Sequence, residues 1–354
     1  GSEMCIRDSK QYQMILGQPF RDNYSRVINI LIFSFPIVIN SMQVVGDVIL
    51  FILAMMGIFI SVSQKLSPFL IKEIKVVSYL AFGYFISICL SVVFSGQALN
   101  LAHYIPRDFY FLFAPFIALA LFKAEINVSY LIAGVKVSLL VLGVIVLSEL
   151  SKGVVRPSGV MNAGVFGNLA VSLFFISLAF FQHESFKNKI FTFLSLLSGI
   201  FIIIESGTRG SWLSFILLLL VYLSFMYWQK TKFSALIITI SVIFLAGIVA
   251  VSSLNNNITD RFGLLHSQAS SWLSGDDSPN PISLRLVMYK KAIENVGNVP
   301  FFGHGLRTSN IALFKNDPSS IGIVAARFNH LHNAYLTNYY NGGIFLLGAL
   351  LLLL

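Results

Sequence analysis

The chain has 354 residues, of which 56% are apolar, 14% aromatic and only 11% charged. That balance excludes an ordinary soluble globular domain and places the chain in a membrane, with room for many spans of roughly 20 residues each. The net charge of +9 gives no case for nucleic acid, because the lysines and arginines are scattered between apolar runs, where they anchor loops. Cys5 and Cys89 are too few and too far apart for a disulfide framework or a metal site.

Taken in chain order, residues 1–10 (GSEMCIRDSK) carry no apolar periodicity and read as a non-native or disordered leader. Apolar length and charged punctuation then predict spans at 27–44, 46–63, 76–94, 109–122, 129–148, 165–182, 190–205, 211–228, 233–252 and 336–354. The first two share one nearly continuous run, divided here at Gly46-Asp47, since a single helix of that length would overshoot the bilayer and strand Asp47 inside it. The last run, FLLGALLLLL, stops without a flanking charge and reads as a helix cut short. The expected fold is therefore an all-α polytopic membrane protein: transmembrane helices 1–9 within 11–252, a large outer loop over 253–335, and a truncated tenth helix over 336–354.

Arg21, Arg26, Lys65, Lys72, Lys75, Lys123, Lys187, Lys189, Lys230 and Lys232 all fall on one side of this arrangement. The positive-inside rule makes that side the cytoplasm and puts the N-terminus there. Arg107, Lys152, Arg156, Arg209 and the 253–335 segment then face outward. A polar loop of that length is more than a connector, and such loops tend to carry function.

Within it, Asn280 or Ser283 can cap a helix whose first turn holds Pro281 and Arg285, and Gly297 and Pro300 end it. Leu286, Tyr289, Ile293 and Val296 form an apolar stripe that would lay this helix on the bundle or the membrane surface. From spacing alone, Arg285 is a solvated charge or a headgroup contact. Arg209 stands in the tight turn of IIIESGTRGSWLSF. Thr208 can cap the following helix, and a helix N-terminus beside an arginine fork suits a lipid diphosphate. Snorkelling, with a pair to Glu205, is the structural alternative.

In HLHNAYLTNYYNGG, residues 330–343, His330 and His332 are two apart, the wrong spacing for one helical face, and no Cys or acidic partner stands near them to complete a zinc set. An imidazole at the junction of a watery loop and a helix can take a proton from a sugar hydroxyl, or it can simply brace the helix start. In RPSGVMNAGVFGNLAV, residues 156–171, Gly159, Gly164 and Gly167 allow close backbone approach to a ligand or close helix packing, while Arg156 and Asn162 bring donors to the outer face.

Together, the Arg-Gly outer turn, the long outer loop, SLRLVMYKKAIENVGNVPFFGHGL, and HNAYL leading into GGIF resemble the O-antigen ligase and polymerase superfamily of membrane glycosyltransferases. The resemblance covers the chain from about residue 150. It implies about twelve helices, with the periplasmic loop between the ninth and tenth. The family pattern is His-Asn, nine residues, Gly, two residues, then a small residue or Tyr. His332, Asn333 and Gly343 match it, while Leu346 departs from it. The 156–171 segment is similar to one seen more in ligases than in polymerases.

The resemblance implies a bacterial inner-membrane enzyme facing the periplasm, without metal or cofactor. Its donor would be a glycan on undecaprenyl diphosphate and its acceptor lipid A core, with membrane lipids around it. Arg209 and Arg285 would neutralise the diphosphate, and His332 would act as base for an inverting transfer. Arg156, Asn162, His330, Asn333 and Arg327 are secondary candidates. A polymerase of O-antigen or exopolysaccharide would use a second lipid-linked glycan as acceptor. A transporter is the reading from another class, but it would want more ionisable groups at the midplane than Asp47, Lys136 and Glu149.

Overall fold

A computed structural model describes residues 18–97, 108–124, 126–179, 181, 184–228, 270 and 279–354. Among them, every regular element is helical. The chain divides into two compact units, residues 1–52 with 123–259 and residues 53–122 with 260–354.

The first unit contains α1 (Gln18–Ser41), the start of α2 (Gln43–Ser63), α5 (Val128–Ser151), α6 (Ala163–Ser177), α7 (Phe186–Glu205) and α8 (Arg209–Trp228). The expected division of the first apolar run at Gly46-Asp47 is corrected: α1 ends at Ser41 and α2 begins at Gln43, so Gly46 and Asp47 lie inside α2. Gly46 is needed for the fold-back, because a Cβ there would sit 2.4 Å from Ile39 Cδ1. Helix α1 packs on α5, α5 on α7, and α6 on both α7 and α8. Small residues set these approaches. A Cβ on Gly134 would meet Phe33 O at 2.1 Å, and one on Gly143 would meet Ser198 Oγ at 2.1 Å. The interior is Leu139, Leu142 and Val146 of α5, Phe166, Ala170 and Phe174 of α6, Ile200 and Ile203 of α7, and Trp212 and Phe215 of α8.

The second unit contains α3 (Lys75–Phe94), α4 (Phe109–Lys123), α9 (Pro281–Glu294), the short α10 (Ser309–Phe314) and α11 (Ser320–Ala326), and α12 (Ala334–Leu353). Asn280 caps α9 with Ser283 in a reciprocal capping box and Pro281 at its start, as the sequence predicts. The predicted apolar face of α9 holds only in part, since Tyr289 packs against the core but Ile293 and Val296 do not. Met288 and Ala292 are the residues it buries, against Phe314, Ala325, Leu331 and Tyr340, whereas Ile293 and Val296 are exposed. Helix α9 thus packs on α10, α11 and the first half of α12, through Tyr340, Leu336 and Tyr339 of the latter.

The described apolar helices coincide with nine of the ten predicted spans; six of them are long and apolar enough to cross a bilayer, and Phe109–Lys123, Ala163–Ser177 and Gly210–Met226 are shorter. The predicted span 233–252 and the loop up to 278, apart from Ser270, lie outside the described residues, as does the 1–10 leader. The predicted span 336–354 is broken. Backbone angles inside α12 leave the helical region at Gly342 and Gly343, the latter at φ 63° and ψ −157°.

Candidate functional site

The break in α12 seats a neighbouring loop. Loop 301–306 lies against it, with His304 N–H donating to Tyr340 O at 2.8 Å and Gly305 N–H to Asn341 O at 3.0 Å. Ser91 Oγ of α3 donates to the same Asn341 carbonyl at 2.5 Å. Two backbones meet here without room for side chains: a Cβ on Gly343 would stand 1.9 Å from Phe301 O, and one on Gly303 would stand 2.4 Å from Asn341 C. Gly343 also has a positive φ that L side chains rarely adopt. The glycine of the His-Asn-Gly pattern is therefore a backbone requirement. Leu346 is accommodated too. It is buried with Ile88, Val92 and Leu306, and Gly342 one turn earlier leaves the space it occupies.

At the other end of the first half of α12, Asn333 is the N-cap, its Oδ1 accepting from Leu336 N–H at 3.1 Å. Thr337 Oγ1 accepts from Leu331 N–H at 3.1 Å. Between these anchors His332 is forced to φ 55°, a left-handed conformation uncommon for a residue with a side chain. Tyr289 Oη donates to its carbonyl at 3.0 Å. The imidazole is flanked by the ring of His330 at 4.3 Å and that of Phe328 at 5.4 Å. Its pKa is held below the usual histidine value, first by burial of part of the ring, then by His330 and Arg285. Such a histidine is neutral at pH 7 and able to accept a proton.

The second unit thus brings together His332, His330 and Arg285. Arg285 is exposed in the first turn of α9, one helical turn before Tyr289. His330 Nδ1 lies 2.7 Å from Asn329 Oδ1, and the His330 carbonyl accepts from buried Asn310 Nδ2 at 3.1 Å. Arg327 is exposed at the C-cap of α11.

In the first unit, Arg156 reaches the Ser206–Thr208 turn, its Nε donating to Ser206 O and its Nη2 to Thr208 Oγ1, each at 3.4 Å. Thr208 Oγ1, expected to cap α8, donates to Ala163 O at 2.9 Å and so ties the turn to the start of α6. Asn162 serves as the N-cap of α6, accepting from Gly164 N–H at 2.8 Å. A Cβ on Gly167 would lie 2.6 Å from both Ser206 Oγ and Ser211 Oγ, so this glycine serves helix packing. Arg209 opens α8, and its side chain lies outside the described residues.

Sequence reading missed Tyr289, Asn310 and Glu149. Tyr289 carried a usable signal, being four residues after Arg285 and hence on the same helical face. Asn310 and Glu149 act on backbone far along the chain, which no local spacing announces. Glu149 Oε2 accepts from Ser158 N–H at 2.8 Å and Gly159 N–H at 3.1 Å.

A family model described as O-antigen ligase matches residues 193–351, the stretch that holds Arg209, Arg285, His330 and His332. A curated protein of Haemophilus influenzae, named "Uncharacterized protein", is 28% identical over 194 residues, which is 53% of this chain and 48% of that protein. The chain spans about half the length of this relative. Residues 193–351 are thus similar to the O-antigen ligase family, and the break at Gly343 and the strained His332 give the His-Asn-Gly spacing of that stretch its physical basis.

Proposed function

We propose that the chain is a membrane glycosyltransferase of the periplasmic face of the bacterial inner membrane. It transfers a glycan from undecaprenyl diphosphate to a sugar hydroxyl of lipid A core, with inversion at the anomeric carbon. The observation that carries this reading is His332, tied by Tyr289 in a strained conformation, with its pKa lowered by burial and by its neighbours His330 and Arg285. A neutral imidazole next to a guanidinium combines a base with a site for an anionic leaving group.

In the proposed step, His332 takes the proton of the acceptor hydroxyl as its oxygen attacks the anomeric carbon. A glycosidic C–O bond forms there while the bond to the diphosphate oxygen breaks on the opposite face. Arg285 stabilises the charge that collects on the departing diphosphate. His330 and Asn333 position the base. The step needs neither metal nor cofactor.

The test expresses the protein from its complete reading frame in a strain lacking its ligase and in one lacking its O-antigen polymerase, with His332→Ala alongside. A lipopolysaccharide ladder restored only in the ligase-deficient strain, and lost in His332→Ala, supports the proposal. Conversion of single repeats to long chains only in the other strain replaces it with a polymerase. Silence in both strains, with the protein present in the membrane, removes the transferase reading.

A further inference from the structure

A cavity of about 480 Å³ opens in the first unit at the N-terminal ends of α5 and α7, the ends remote from the Ser206–Thr208 turn. That volume is within the range of roughly 300–1,000 Å³ typical of small-ligand sites. Its wall carries Lys136, Glu184, Ser129, Asn188, Ala133 and Phe191. Lys136 is only 4% exposed and pairs with Glu184, whose other oxygen accepts from Thr192 Oγ1 at 2.6 Å.

An ammonium has three N–H groups, and Glu184 is the acceptor that Lys136 has among the described residues. Buried N–H groups left without acceptors are costly, so the cavity favours an occupant that brings oxygen acceptors. A simple anion is disfavoured by Glu184 on the same wall. An occupant with both an acceptor-rich phosphate for Lys136 and an N–H donor for Glu184 satisfies both charges. The remaining wall, with Ile132 and Phe191, is apolar.

We infer that this cavity binds the headgroup of a zwitterionic phospholipid, its phosphodiester on Lys136 and its primary ammonium on Glu184. The site is separate from the His332 chemistry and does not depend on it.

Native mass spectrometry of the protein in detergent, given phosphatidylethanolamine or phosphatidylglycerol, tests the inference. The wild type retains phosphatidylethanolamine at least about fivefold better than phosphatidylglycerol, a difference of roughly 1 kcal/mol. Lys136→Met abolishes retention, and Glu184→Gln reverses the preference toward phosphatidylglycerol. Because Lys136→Met leaves Glu184 without its partner and is at risk of misfolding, Ala133→Phe provides a second arm: it fills the cavity and leaves the ion pair intact. Equal retention of the two lipids, or undiminished retention by Ala133→Phe, overturns the inference. Water-soluble glycerophosphoethanolamine is the remaining probe, and thermal stabilisation by it without any by the lipid overturns the lipid as the source of the headgroup.

Discussion

The hydroxyl of Tyr289 donates a hydrogen bond to the carbonyl of His332 at 3.0 Å, tying the middle of α9 to a residue whose backbone is in a left-handed conformation at φ 55°. Such a conformation persists only where its surroundings enforce it. Tyr289→Phe removes one hydrogen bond of about 1 kcal/mol and keeps the ring. The expected result is a several-fold loss of kcat with the donor KM little changed, whereas His332→Ala loses about 10²–10⁴-fold. If Tyr289→Phe transfers glycan at the wild-type rate, the tie has no part in placing the base.

The electrostatics of His332 set a pH dependence. Its folded pKa lies below the ordinary value near 6.5 through burial, His330 and Arg285, so the neutral base survives to lower pH than a free histidine would allow. The acid limb of kcat/KM is therefore expected below pH 6.5. Arg285→Gln removes a positive neighbour and moves the limb upward toward 6.5, while Arg285→Lys leaves it in place and still loses rate through the missing guanidinium fork. For stability the sign is that of a group disfavouring protonation in the fold. The contribution is complete above the unfolded value and declines as pH falls through 6.5 toward the folded one. An acid limb at or above 6.5 contradicts this assignment of the base.

Element positions were legible in the sequence because membrane spans are long, apolar and bounded by charge; the described helices fall where apolar length put them. The α1–α2 boundary was missed by a few residues because Gly46 looks like a breaker yet serves packing against Ile39. The buried face of α9 was misread for a deeper reason. Helical periodicity shows that an apolar stripe exists, but Met288 and Ala292 won over Ile293 and Val296 through contacts with Phe314, Ala325 and Tyr340, well outside the helix. His332 and Arg285 were named from the sequence, whereas the grip of Tyr289 and loop 301–306 on α12 arises from contacts that only the folded chain creates.

Gly343 gives a prediction about the fold alone. Gly343→Ala combines a positive φ of 63° with a Cβ placed 1.9 Å from the Phe301 carbonyl oxygen, and backbone on both sides leaves nothing flexible to yield. A cost above about 2–3 kcal/mol is expected, seen as a lowered melting temperature in detergent or loss of the protein from the membrane. Gly348→Ala lies in the same helix, with open space where its Cβ would go, and is the control that stays near wild type. Equal melting temperatures for the two variants exclude the close backbone contact as the reason for glycine at 343.

Glu149 stands in the last turn of α5, where the helix dipole disfavours a carboxylate, yet the backbone N–H groups of Ser158 and Gly159 offset this by donating to one of its oxygens. The carboxylate in turn fixes the loop after α5, from which Arg156 reaches Ser206 and Thr208. Glu149→Ala removes two charge-assisted bonds together worth about 2–3 kcal/mol, after allowance for partial exposure. The loop should then open locally while the buried interior of α5, α6 and α7 holds. Trypsin provides the readout at Lys152 in this loop, since Pro157 makes the bond after Arg156 resistant to it. Cleavage after Lys152 is expected to accelerate at least about tenfold in Glu149→Ala, in line with a free-energy change above 1.4 kcal/mol. If cleavage after Lys152 keeps its wild-type rate, Glu149 does not order the loop, and the presentation of Arg156 must be assigned to its bonds with Ser206 and Thr208 alone.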